Sequence, residues 1–478
     1  MKPFFCHKPR CRLLAGVFTL ALLGGCATLL DDSGFTSIQT DARTRLNKDL
    51  RWAKTDSERE RLRADIAPLL AKPLSVDDAV QIALLNNPGL QATFGELGLA
   101  DAARVQAGRM RNPGFSFQHL SQAQTGVVDI ERRFLFDLLG LLTLPTRSEI
   151  GARHFEQVQG QVTTEVMRVA MDTRRAYFAA VAAEQGVRYM SDVQEVADAG
   201  AELARRMATA GNWSKLDQSR QQVFYAETVA QLARSKQRAV SEREKLTRLM
   251  GLWGEDIRFQ LPDRLPELPK RVKEQPAIEA EAIPQRLDIQ MARKEVEGLA
   301  KSLGLTRATR LVNVLETSYL RNTVTGEPRK TGYEVEVQIP IFDFGEAKVA
   351  SAEATYLQAV NRTSEIAINA RSQIREAYQA YRTTYDLARH YRDEIVPLRK
   401  KISDENLLRY NGMLISVFDL MADARQQMAS VNGYIEALRD FWLAETDLGG
   451  AMTTGGVRGV SMMGMRDMAT GGDASGGH

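Results

Sequence analysis

The chain has 478 residues, 44% of them hydrophobic, 26% charged and only 7% aromatic. Such a composition excludes a collagen-like fibre and bulk disorder, and abundant Ala, Gln, Glu and Arg favour long helices. The formal charge of +3 is set by Lys2, Lys8, Arg10 and Arg12, beyond which 59 basic side chains face 60 acidic ones; a near-neutral remainder has no field for polyanions, so no nucleic-acid partner is expected.

The basic start, MKPFFCHKPRCR, is followed by the apolar run LLAGVFTLALLGG. At about a dozen residues this run is too short to span a bilayer but fits the core of a signal peptide. It ends in Leu23-Gly24-Gly25-Cys26, and small residues before a cysteine resemble the lipobox of bacterial lipoproteins. Cleavage there would discard residues 1–25 and leave Cys26 lipid-modified at the head of an anchored segment, 26–73. The alternative is a plain secretory signal with an incidental cysteine. Cysteine usage favours the lipid: Cys6 and Cys11 fall in the discarded part, and a lone free thiol is out of place in an oxidising periplasm. Under lipoprotein sorting, Ala27 directs the chain to the outer membrane.

Two stretches share one grammar. Asn87-Pro88-Gly89-Leu90-Gln91-Ala92 aligns with Arg286-Leu287-Asp288-Ile289-Gln290-Met291, Leu144-Pro145 with Ile339-Pro340, and Ala210-Gly211 with Asn411-Gly412. The offsets of 199, 195 and 201 residues are nearly constant, which points to a tandem duplication of units 74–261 and 284–450 around a Pro-, Glu- and Lys-rich linker, 262–283. The first unit opens with a helix capped by Ser75, with Asp77 and Asp78 in its first turn. Short strands are expected around Phe115 and Phe117 and around Phe134, Phe136 and Leu138. A proline-free helix then runs from Ile150 to Ala208, apolar every three or four residues, and would reach roughly 90 Å at about 1.5 Å per residue. It turns at Gly211-Asn212-Trp213-Ser214-Lys215-Leu216-Asp217.

In the second unit a strand is expected from Leu311 to Leu320 and another from Gly332 to Phe342. Tyr333, Val335, Val337, Ile339 and Ile341 alternate there with Glu334, Glu336, Gln338 and Pro340. Either the sheet covers a soluble core, or it is a membrane barrel with lipid on the apolar face and Glu334, Glu336 and Gln338 facing the lumen. Four strands cannot close a barrel and open edges are not tolerated in hydrocarbon, so a membrane sheet requires oligomerisation. A second rod follows, from Val349 to Ile395 and beyond, turning at Gly412 to Asp419 into a return helix through Leu420 and Trp442. Gly is expected to free each turn, with Asp217 and Asp419 at the positive end of each return helix.

The tail, 451–478, is rich in Gly and Met and is expected to be disordered. Its Met462, Met463, Met465 and Met468 are candidate soft ligands for Cu(I), set against a ligand-free low-complexity tail. No Gly-rich phosphate loop, HExxH, paired CxxC or GxSxG occurs, so no enzyme activity is expected.

The stretches LSVDDAVQIALLNNPGLQATFGEL, ARRMATAGNWSKLDQSRQQ, VQIPIFDFGEAKVASAEA and LLRYNGMLISVFDLMADARQQ resemble the outer-membrane efflux factor (TolC-like) family, in particular its lipid-anchored members. The resemblance implies a mainly α fold with a small transmembrane β part: a homotrimeric twelve-stranded barrel continuous with an α-helical periplasmic tunnel. It implies an exit duct of a tripartite pump exporting toxic compounds, among them copper or other heavy-metal cations. A periplasmic adaptor and an inner-membrane transporter are the implied partners, and Cys26 lipid is the only attached group. Multidrug efflux through the same duct is one alternative; a pore-less helical lipoprotein tether is another. On this resemblance the tips around Gly211, Asp217 and Gly412 dock the adaptor, and Asp419 rings the periplasmic aperture. The second acidic position of the family falls on Ala422, with Asp423 beside it.

Overall fold

The computed structural model describes residues 28–272, 274, 278–312 and 314–455. Cys26 and the candidate ligands Met462, Met463, Met465 and Met468 lie outside these residues. In chain order the elements are α1 (Phe35–Leu46), α2 (Asp56–Leu70), α3 (Val76–Asn86), α4 (Pro88–Ala107), β1 (Gly114–Ser121) and β2 (Val128–Asp137). Next come α5 (Leu138–Thr209), α6 (Lys215–Met250), α7 (Ile278–Ala282), α8 (Leu287–Thr309), β3 (Leu315–Val324) and β4 (Lys330–Val337). The chain ends in α9 (Glu346–His390), α10 (Val396–Asn411) and α11 (Val417–Thr453). No described helix is long and apolar enough to cross a membrane.

Two compact units result. One joins the described residues up to Lys54 to Pro88–Val166 and Ile289–Ile366. It holds the sheet, an all-antiparallel meander in the order β1-β2-β3-β4. Its helical part packs Phe35 edge-on against Phe94, with ring centres 4.9 Å apart. The other unit comprises Thr55–Asn87, Met167–Asp288 and the described residues from Ala367 onward. Its core is an aromatic stack: Phe178 lies on Trp442 at 5.2 Å, and Phe441 packs against Tyr381 at 5.5 Å. Tyr177 is buried beside them, and its hydroxyl donates to the Leu74 carbonyl at 2.8 Å. That burial pushes the phenol up to about 12.

Ser75 caps α3 as expected, accepting from the Asp78 amide at 3.1 Å. The strands shift from their expected bounds. β4 stops at Val337 rather than Phe342, because Pro340 has no N–H for the ladder; the last bond runs from the Gln338 amide to the Val314 carbonyl. Gln338, expected on the lumen face of the strand, therefore lies just past its end. β3 spans Leu315–Val324 instead of Leu311–Leu320, since its place is set by pairing with β2, Glu316 opposite Asp137 and Val324 opposite Asp129. α5 begins twelve residues before Ile150 and continues through Pro145; the Asp137 carboxylate accepts the Gly140 amide at 2.7 Å and starts it. In the second rod a π turn at Tyr391–Ile395 separates α9 from α10. Pro397 follows directly and cannot donate to residue 393, so the backbone widens one turn around the missing bond.

Candidate channel wall and helix tips

The register sorts the sheet into two faces. On one, Phe115, Phe134, Tyr319 and Tyr333 form a single cross-strand row, and Phe136, Thr317 and Val335 form another. Phe115, Phe134, Phe136, Tyr319, Tyr333 and Val335 are all exposed, so no described element covers this face. The opposite face carries the carboxylates of Asp129, Glu131, Asp137, Glu316, Glu334 and Glu336 against two bases, Arg133 and Lys330. Leu120, Leu135, Leu320 and Val324 interrupt it. Of the residues expected to face the lumen, Glu334 is held by Arg133 at 3.3 Å and by the Ser318 hydroxyl at 3.1 Å. Glu336 stands directly opposite Glu316.

At the tips, the two turns are built differently. Gly211 takes the left-handed φ of 76° that closes the first. The amides of Gly211 and Asn212 then return to the carbonyls of Ala208 and Met207. In the second turn Gly412 has an ordinary φ of −80°, and the left-handed residue is Met413 at 59°. The extra residue after the glycine moves the position that needs positive φ by one. Trp213 and Phe418, whose rings are 4.7 Å apart, join the turns; a Trp and a Phe at unrelated offsets gave no sequence signal for this pair.

Each expected aspartate sits at the third position of its return helix. Asp217 meets the hydroxyl of the cap Ser214 at 2.6 Å and Arg220 at 3.4 Å. Asp419 is exposed and closes a capping box with Ser416: its carboxylate accepts the Ser416 amide at 3.1 Å and hydroxyl at 2.7 Å. These bonds, the hydroxyl first, hold the Asp419 carboxyl below its ordinary value. Asp423 is only 7% exposed, and its Oδ2 has no hydrogen-bond partner among the described residues. Arg425 stacks over Phe224 at 4.1 Å.

The first described residues, Thr28 to Leu30, are pinned. Asp101, 1% exposed, accepts the Leu30 amide at 2.8 Å and pairs with Arg104 at 2.7 Å, while Arg104 donates to the Thr28 carbonyl at 2.9 Å. An Asp and an Arg three apart on a helix read as an ordinary surface pair, so sequence reasoning missed this clamp.

No protein-family model matches the chain. No curated protein matches it either. Solved structures do. CusC, a protein that forms a transmembrane channel, superposes with a TM-score of 0.68 at 16% identity, covering 80% of this chain and 92% of CusC. The CmeC outer-membrane channel of Campylobacter jejuni gives 0.67 at 16% identity, over 80% of this chain and 86% of that one. The outer-membrane channel OprN gives 0.67 at 16% identity, over 90% and 97%. Likeness at this identity speaks to the fold, and the chain has the fold of these outer-membrane channels.

Proposed function

We propose that this chain forms, as a homotrimer, the outer-membrane exit duct of a tripartite efflux pump. Three four-stranded sheets close one twelve-stranded barrel, and the long helices continue it as a tunnel through the periplasm. A periplasmic adaptor docks at the tips, and an inner-membrane transporter supplies the energy. The duct performs no chemistry and needs no cofactor. The sheet carries this reading: an apolar face exposed across all four strands, on a meander whose outer strands β1 and β4 have no neighbour on their far edges among the described residues. In water such a face needs a covering layer, and in lipid such edges need pairing. Lipid covers the face, and joining copies edge to edge pairs the edges.

Duplication of 74–261 and 284–450 around the linker 262–283 supports a pseudo-sixfold wall. Asn87 donates to the Leu249 carbonyl at 2.8 Å, and Arg286, its match in the second unit, donates to the Ala451 carbonyl at 3.0 Å. The two residues thus bind the ends of corresponding return helices. We read Cys26 as the lipid anchor, and the Asp101–Arg104 clamp supports that reading by fixing the chain just after it. A pore-less tether has no use for the duplicated strand pairs. The cargo is a toxic compound, with copper or another soft metal cation favoured by the methionines of the tail. Purification in detergent and planar-bilayer recording test the duct: trimers with steady conductance are expected, and a non-conducting monomer would replace the duct with the tether. For the cargo, deleting the gene should raise copper sensitivity. Unchanged tolerance to copper, silver, zinc and cobalt, with new sensitivity to dyes or antibiotics, would reassign it to multidrug efflux.

A further inference from the structure

Next to the aromatic row of the apolar face, on the side of the hairpin turns, the register sets Phe117, Arg132, Arg321 and Thr331 in one cross-strand row. Arg132 and Arg321 are direct partners on β2 and β3. No strand residue on this face is a carboxylate, in contrast to the opposite face, where Arg133 pairs with Glu131 and Glu334. Neither Arg132 nor Arg321 makes an ion pair among the described residues, and the buried Nε of Arg321 has no hydrogen-bond partner there. The Arg132 guanidinium instead lies 5.7 Å from the centre of the Phe117 ring. Like charges directly opposite on a sheet repel, so the pair calls for an anion between them.

The depth of the row fits one source of that anion. Charge on the lipid face of a barrel costs most at mid-bilayer and little at the interface, and Tyr and Phe girdles mark that interface. Tyr319 and Tyr333 lie in the adjoining row, about 7 Å along the strands at roughly 3.4 Å per residue. The arginines are therefore one step beyond the girdle, away from the helices, at headgroup level. Two guanidiniums side by side suit the oxygens of a phosphate monoester.

We propose that Arg132 and Arg321 bind the phosphate of an outer-leaflet lipid headgroup on the wall of the barrel, an inference that rests on the barrel reading. The test is native mass spectrometry of the detergent-purified full-length protein with bisphosphorylated lipid A, with its dephosphorylated form, and with inorganic phosphate as competitor. The wild type should retain the phosphorylated lipid about ten-fold better than the dephosphorylated one. The double variant Arg132→Gln/Arg321→Gln should bind both alike while keeping its oligomeric state and conductance. Equal retention of the two lipids by the wild type, or full retention by the double variant, would overturn the site. Displacement by millimolar inorganic phosphate would overturn the lipid as its ligand. A wild type that is neither trimeric nor conducting fails the barrel reading and this site with it; a conducting trimer without phosphate preference fails this site alone.

Discussion

Met413 carries the second helix turn at a φ of 59°, and the residue is 93% exposed. A residue with a Cβ is strained there, and this one packs against little that would compensate. Met413→Gly should therefore stabilise the tip by about 1 kcal/mol, seen as slower local hydrogen exchange; an unchanged or faster rate would mean that the methionine makes contacts worth more than the strain. Asp419 illustrates a second tension. Its carboxyl is lowered from 3.8 by the Ser416 hydroxyl and amide, so the capping box stabilises above that pH and weakens as pH falls through the lower folded value. If three copies also ring an aperture, Asp419→Ala should raise resting conductance and weaken block by multivalent cations, with Asp217→Ala doing less. Equal block in wild type and Asp419→Ala would place the constriction elsewhere. The sequence made both aspartates legible, since Ser-x-x-Asp before an apolar run has a local cause. The Trp213–Phe418 contact and the buried Asp423 depend on which turns meet, and no local pattern encodes that.

Strand faces were readable because alternation is a property of consecutive residues; strand ends were not. Pro340 ends β4 where apolar alternation continues to Ile341, and β3 is placed by its register with β2 rather than by its own weak pattern. The π turn before Pro397 is the same kind of event in a helix, a missing donor absorbed by backbone geometry. The face assignment makes a paired prediction. Val335 lies in a row with Phe136 and Thr317, so on the proposed barrel Val335→Arg puts a charge among lipid-facing side chains one row inside the girdle, a cost that rises to about 2–4 kcal/mol at mid-bilayer. It should abolish heat-modifiable oligomers. Glu336 faces Glu316 on the polar side, so Glu336→Gln should assemble normally and shift selectivity away from cations. If the two variants behave alike in gel mobility and in reversal potential, the faces have been assigned the wrong way round.

A whole-molecule property, assembly, follows from one backbone detail. The Gln338 amide donates to the Val314 carbonyl, and in an antiparallel ladder donors alternate along the strand. Glu334 and Glu336 therefore turn their amides toward β3, while Tyr333 and Val335 turn theirs to the far edge of β4. On the proposed trimer that edge pairs with β1 of the next copy. Tyr333→Pro removes one outward donor at each junction, leaves the in-chain ladder its hydrogen bonds, and deprives the facing β1 carbonyl of its partner. Tyr333→Ala removes the ring but keeps the donor, and separates the two effects. Tyr333→Ala should form trimers that conduct, whereas Tyr333→Pro should keep its helical circular dichroism yet stay monomeric and silent in planar bilayers. Trimers of normal conductance from Tyr333→Pro would show that copies do not join along β4, and the edges of the sheet would then need a different partner.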